Sequence, residues 1–379
     1  MGKIGIITIL NVNNYGAELQ AHALNKKLSL LGYDNEIINY LFYKNPDFIS
    51  EKKSKSIFGI KKIDFLKEFV LKNIDKYSRI INPKLAKTRL TKFEQFHKEY
   101  SIVSDPIKSM TQLYQKKMDY DVLICGSDQI WNPYNKVNIE PYFLTFGSTG
   151  VKKISYASSF GVSSIDNNKH NKYKDLLNNI DILSCREASG VKIIKEITDR
   201  VATQVLDPTL LLSREEWSSI AVPFIEEEPF ILLFIFKESK YVTRFAYDLQ
   251  RKTGYKIIRI CKNEMRVEAD SKILNIRDAG PREFLGVFKK ATIVLTTSFH
   301  GCVFSLIFQK PFYTITPNRK NNNARQQSLL SMVGLENRLI QEGGDFPKIE
   351  CLEIDFNPVQ KIIEKEKNNS VNFLKNALK

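Results

Sequence analysis

"TIVLTTSFHGCVFSL", residues 292–306, reads as a buried strand running directly into a helix, with a single histidine, His300, at the join and Gly301 behind it. A strand handed straight to a helix is the repeating unit of a parallel sheet covered on both faces. Working outward, the same unit recurs. "FILLFIF" (230–236), a helix over 239–252, "YKIIRIC" (255–261), a helix over 281–290, the quoted strand, a helix from Gly301 and "PFYTI" (311–315) form one cycle. Upstream, "KIGIITIL" (3–10), "AELQAHALNKKLSLLG" (17–32) and "EIINY" (36–40) open as strand, helix, strand. "DVLICG" (121–126), "KISYASSF" (153–160), "DILSCRE" (181–187) and "VATQVLDPTLLL" (201–212) then read as further strands.

The two cycles meet at the polar stretch "VPFIEEEP" (222–229). A chain of 379 residues exceeds what one core supports. The expectation is therefore α/β, two Rossmann-like doubly wound domains facing a central cleft: 1–221, with a basic helical insertion at about 50–117, and 222–379. The C-terminal helix, 357–377, could pack on either domain. Ligands of such sheets sit beyond the carboxyl ends of the strands.

Composition excludes several classes. The longest apolar run, residues 230–236, is too short to span a bilayer, and the N-terminus passes from Met into a strand without a signal-peptide pattern. A cytoplasmic location is expected. The five cysteines are widely spaced, no pair has metal-ligand spacing, and buried reduced thiols are expected. The net charge is +15, and ten of those excess charges lie between Lys52 and Lys98, where fourteen Lys or Arg face four Asp or Glu. Two readings stand for this arm: a solvated helical face, or a surface for peripheral contact with an anionic membrane or glycan. No nucleic-acid-binding signature accompanies it.

Four junctions carry candidate chemistry. In "NVNNYGAELQ" (11–20), Asn13, Asn14 and Gly16 precede a helix whose free N–H groups favour an anion or sugar hydroxyl; simple capping is the alternative. In "ICGSDQIWNP" (124–133), Ser127, Asp128, Gln129 and Trp131 bring together what a sugar face needs, although Trp131 could equally be core. Asp128 could cap a helix or take a proton from an attacking hydroxyl. In "SCREASG" (184–190), Arg186 offers a planar fork to a carboxylate or phosphate, or pairs internally with Glu187 or another acid. At His300, glycine lets the backbone turn and an anion approach; a bound anion favours the charged imidazole, which then donates a proton. A core histidine is the alternative. The loop "NRKNNNARQQSLL" (318–330) supplies Arg319, Lys320 and Arg325 to close over an anion, or is simply solvated.

Six segments in this order, "NYGAELQA", "DVLICGSDQIWNP", "ISYASSFG", "SCREASG", "VLDPTLLL" and "TTSFHGCVFSLIFQKPF", cover nearly the whole chain, and together they resemble the polysaccharide pyruvyl transferase family. The resemblance implies a fold like the type-B glycosyltransferases and transfer of pyruvate from phosphoenolpyruvate to a sugar as a cyclic ketal. No metal or cofactor is implied beyond phosphoenolpyruvate as co-substrate. The implied partners are phosphoenolpyruvate and a glycan or lipid-linked oligosaccharide, with no nucleic acid.

His300 matches the family's functional histidine and Arg186 its arginine in the S-x-R-E segment. Donor contacts are then expected from Arg186, Ser298, Gly301, Lys320 and Arg325. Acceptor contacts are expected from Asn14, Tyr15, Gly16, Ser127, Gln129 and Trp131, with Asp128 beside the acceptor hydroxyl. Some members carry an arginine two residues before the histidine. Here that position is Ser298: either Arg325, Lys320 or Lys310 replaces the charge, or the donor differs. Competing readings are a nucleotide-sugar-dependent glycosyltransferase and a non-catalytic glycan-binding assembly component.

Overall fold

The computed structural model describes residues 2–42, 82–135, 138–236, 239–261, 272–317 and 323–379. The chain is α/β, built on two parallel sheets. The first joins β1 (Ile4–Ile7), β2 (Asn35–Ile37), β3 (Val122–Cys125) and β4 (Lys152–Ser155) in the order β2-β1-β3-β4. Parallel bridges at Ile154–Ile182 and Ser158–Cys185 carry it on to the pair β5 (Ser184–Cys185) and β6 (Thr203–Gln204). The second sheet joins β7 (Phe230–Phe234), β8 (Lys256–Ile260), β9 (Ile273–Ile276), β10 (Ile293–Thr296), β11 (Phe312–Thr316) and β12 (Leu339–Gln341) in the order β12-β11-β10-β7-β8-β9. Strands such as Phe230–Phe234 and Phe312–Thr316 are buried at every residue, as a sheet covered on both faces requires.

In both sheets the chain starts near the centre, builds one edge, then returns to build the other. The order reverses between β1 and β3 in the first sheet and between β7 and β10 in the second. A crevice opens at the carboxyl ends of such strand pairs, so each sheet brings one switch point.

Helices cover the sheets: α1 (Tyr15–Leu30), α2 (Pro83–Tyr100), α3 (Met110–Gln115), α4 (His170–Asn178), α5 (Ala188–Thr198), α6 (Arg214–Ile220), α7 (Lys240–Thr253), α8 (Pro281–Lys290), α9 (Phe299–Ile307), α10 (Ala324–Met332) and α11 (Phe356–Ala377). α1 is buried at Tyr15–Asn25 and Leu28, all round rather than along one stripe, because it lies between the first sheet and the second half of the chain. Its Tyr15, Leu19 and Ala23 share one core with Phe284, Phe299 and Val303 of the second half. α11 spans both halves: Val359 and Ile363 join that core, whereas Leu374 and Ala377 pack with Ile4 and Ile6 of β1.

Some elements differ from expectation. The helix after β10 begins at Phe299, so His300 lies in its first turn rather than at the end of a strand. "VATQVLDPTLLL" is not one strand: only Thr203–Gln204 pairs, and Asp207 caps a short 3-10 helix, Pro208–Leu211. Much of the basic arm lies outside the described residues. In the described part Arg89 points inward, donating to the Cys261 carbonyl at 2.7 Å with its guanidinium 5.0 Å from the centre of the Tyr15 ring. Of the cysteines, Cys125, Cys185, Cys261 and Cys302 are buried free thiols and Cys351 is exposed. No helix among the described residues is long and apolar enough to cross a membrane.

Candidate active site

The two switch points meet. After β1 the chain caps α1 with Asn14, and Gly16 in the first turn lies directly against the His300 ring. A Cβ built on Gly16 would stand 2.1 Å from His300 Nδ1. Only glycine permits this approach. After β10, Ser298 is the N-cap of α9, and Gly301 lets that helix lie on its own strand, since a Cβ there would meet Thr296 Oγ1 at 2.1 Å.

Behind His300 stands Asp207, fully buried. Its Oδ1 accepts from the Thr209 amide at 3.0 Å and from the Thr209 hydroxyl, which fixes the carboxylate. Its Oδ2 accepts from Arg186 Nη1 at 2.6 Å and from the Ser127 hydroxyl at 3.3 Å, and lies 3.6 Å from His300 Nε2. That last distance is too long for a hydrogen bond. Burial alone would raise the Asp207 carboxyl, but His300, Arg186 and Thr209 together hold it well below the usual carboxylate range.

Arg186 faces three acids: Asp207, Glu187 Oε2 at 3.9 Å from Nε, and Asp128 Oδ1 at 3.9 Å from Nη2. The Glu187 carboxylate is locked on its other oxygen by the Ser159 hydroxyl and the Phe160 and Gly161 amides. The Arg186 guanidinium lies 4.2 Å from the centre of the Phe299 ring, and that of Arg325 lies 5.9 Å from the same ring. Burial first, and then the neighbouring Arg186 charge, lower the Arg325 guanidinium below its ordinary range. With its amide oxygen turned toward Arg325, Gln129 meets two guanidinium nitrogens at 3.1 and 3.2 Å. Arg186 Nε and Nη2, Arg325 Nε and His300 Nε2 are buried without a hydrogen-bond partner. Glu187 Oε2 shares this state, so five such atoms lie in one constellation, a concentrated deficit, since each unmet buried polar group costs about 1–3 kcal/mol.

The structure thus gathers Asp128, Gln129, Ser127, Arg186, Ser298, His300, Gly301 and Arg325. Lys320 and Arg319 lie outside the described residues. Lys310 is at the far end of α9 from His300, near Arg214 and Lys290, and does not join the cluster.

Several expected contacts need correction. Trp131 is fully buried, stacked 4.9 Å from Phe143, with its indole N–H on the Tyr142 carbonyl, so its ring offers no face to a sugar. Tyr15 is core as well: its hydroxyl donates to the Ala279 carbonyl at 2.8 Å and its ring stacks on Phe284. Asn14 spends its side-chain oxygen on the Gly16 and Ala17 amides, so capping, not ligand binding, accounts for it. Gly16 therefore acts through its missing side chain and not through a free N–H. Gly301 serves helix-to-strand packing rather than a tight turn. Ser127 is fully buried, its single hydroxyl proton shared between the Ala157 carbonyl at 3.0 Å and Asp207 Oδ2 at 3.3 Å, so it supports Asp207 from within.

Asp207 and Phe299 join this cluster without being among the expected contacts, and Glu187 was expected only as an internal partner of Arg186. The Asp-Pro step after β6 was visible inside "VLDPTLLL", and an Asp followed by Pro is a capping signal, but nothing local ties it to His300.

Two Rossmann-like sheets with a charged, histidine-bearing constellation at their facing switch points define a two-lobed α/β protein. The family model for polysaccharide pyruvyl transferase matches residues 14–319, and the chain belongs to that family. No curated protein matches it. Solved structures similar to it include the UDP-GlcNAc 2-epimerase from Methanocaldococcus jannaschii, at 13% identity over 98% of this chain and 99% of that one, with a TM-score of 0.48. The UDP-GlcNAc 2-epimerase from Neisseria meningitidis bound to UDP-GlcNAc is similar at 8% identity over 99% of each chain, TM-score 0.48. A glycosyltransferase from Rickettsia africae is similar at 12% identity over 99% of this chain and 96% of that one, TM-score 0.44.

Proposed function

We propose that the protein transfers the pyruvyl unit of phosphoenolpyruvate onto two hydroxyls of a sugar in a surface polysaccharide, or in its lipid-linked precursor, as a cyclic ketal. The observation that carries this reading is the set of buried nitrogens on Arg186, Arg325 and His300 around Phe299 that make no hydrogen bond. A small donor with a carboxylate and a phosphate supplies acceptors for all of them. Family membership supplies the reaction class.

In this reading Arg186 and Arg325 hold the two anionic groups, with the first turn of α9 beside them. His300 gives a proton to the donor's methylene carbon, which makes the adjacent carbon electrophilic. A sugar hydroxyl attacks that carbon while Asp128, at the outer edge of the cluster, takes its proton. Phosphate leaves and a second hydroxyl closes the ring, so one donor and one diol give one ketal and one inorganic phosphate. Asp207 touches no substrate; it orients His300 and neutralises Arg186. No metal or cofactor is required for these steps.

The test is incubation with phosphoenolpyruvate and a panel of free and lipid-linked glycosides, read by mass spectrometry and phosphate release. Pyruvate addition with loss of water is the expected product. A nucleoside diphosphate released from a nucleotide sugar, with no ketal from phosphoenolpyruvate, would replace this reading with glycosyl transfer. Sugar binding without any turnover would replace it with a non-catalytic role.

A further inference from the structure

α5 starts directly after Arg186 and Glu187, and its own N-cap makes no side-chain hydrogen bond to the helix. The first N–H groups of a helix need partners from elsewhere. One comes from the other half of the chain: Ser328 on α10 accepts from the Ala188 amide at 3.1 Å. The same hydroxyl accepts from Gln204 Nε2 at 3.1 Å, and Gln204 also reaches the Arg186 carbonyl at 3.3 Å. Ser328 therefore fastens α10 to both sides of the segment that carries Arg186.

Arg325 lies three residues before Ser328, on the same helix face. It brings a second guanidinium over the Phe299 ring that already carries Arg186. The two guanidiniums repel, and Asp128 and Glu187, which attract both, offset part of that repulsion. The hydrogen bonds that tie α10 across to this segment are the Gln129–Arg325 pair and the Ser328 strap.

We infer that Ser328 is a positioning residue that holds Arg325 opposite Arg186 before the donor arrives, so that the two guanidiniums form a ready clamp for a doubly anionic ligand. The inference rests on the donor reading above for its kinetic consequence, though not for the strap itself. Preorganisation of this kind lowers the cost of binding without touching the chemical step.

Full-length wild type, Ser328→Ala and Ser328→Thr are compared in two measurements. Hydrogen exchange without ligand reads the first turn of α5 and all of α10. Steady-state kinetics with varied phosphoenolpyruvate reads the clamp. Ser328→Ala is expected to exchange faster in both segments and to raise the KM for phosphoenolpyruvate about five- to tenfold, with kcat within about twofold, the scale of one or two hydrogen bonds. Ser328→Thr keeps the hydroxyl and is expected to restore both. Unchanged exchange overturns the strap, and faster exchange with an unchanged KM overturns the positioning role. Wild type without phosphoenolpyruvate turnover refutes the donor reading by itself; the exchange comparison then decides the strap alone.

Discussion

Gly16→Ala puts one methyl group into the space between the lobes, and the structure fixes what that methyl meets. The added Cβ would lie 2.1 Å from His300 Nδ1, 2.6 Å from Cε1 and 2.7 Å from Cγ. Ordinary contact begins at 3.4 Å, so the ring and Gly16 must separate by about 1.3 Å, the difference between 3.4 and 2.1. The ring has little freedom to yield: His300 is 6% exposed, with Phe299 5.3 Å away and Asp207 3.6 Å from Nε2. Alanine in a first helical turn is otherwise favourable by about 0.5–1 kcal/mol over glycine, whereas overpacking costs about 1–3 kcal/mol. The net change in stability is therefore a loss of at most about 2.5 kcal/mol. The catalytic consequence is larger, because a displacement of about 1 Å at a reacting group costs on the order of a hundredfold. The assay is phosphate release from phosphoenolpyruvate beside a thermal melt and a crystal structure of the variant. Full turnover with an unmoved imidazole would refute the argument that this glycine exists for the histidine.

Three further outcomes are expected. His300→Ala keeps the fold and lowers turnover about a hundredfold or more, the scale of a positioned acid; thermal melts beside the assay separate this from a core role. Asp207→Asn leaves Arg186 without its closest acid and costs about 3–5 kcal/mol in denaturant unfolding, because one partner of a buried pair is removed. Because the Asp207 carboxyl is depressed in the fold, its contribution is intact at neutral pH and erodes only below about pH 4. His22, packed among Phe96, Tyr100 and Trp217, is pushed down to about 4 by burial, against the raising effect of its hydrogen bond to the Tyr100 carbonyl. The unfolded chain thus binds the extra proton first, and stability is lost as pH falls from about 6.5 toward 4, by roughly 3 kcal/mol in all. Unfolding at pH 7.5 and 5 shows a smaller drop for His22→Gln than for wild type; equal drops would remove His22 as the cause.

Strand and helix order was readable because each unit declares itself locally: an apolar run, a polar junction, then an apolar-rich helix. Short or interrupted pieces were not. β9 and β12, four and three residues long, are too short to stand out, and "VATQVLDPTLLL" reads as one strand although only Thr203–Gln204 pairs and a 3-10 helix starts at Pro208. The site divides the same way. Asp128, Arg186 and His300 each end a strand-like run beside a glycine or a polar residue, which marks them without reference to anything distant.

Asp207 has no such mark, because its meaning comes from partners 21 and 80 residues earlier, Arg186 and Ser127, and from His300 in the other lobe. The misread aromatic residues follow from the same physics. Trp131 sits two residues after Gln129, yet the chain turns there, with Asp128 at φ 69°, and sends the indole inward while the amide reaches Arg325. A residue type near a junction therefore says little until the backbone direction is known. Where two lobes each contribute one side of a site, the sequence marks the strand ends and leaves the pairing between them to the tertiary structure.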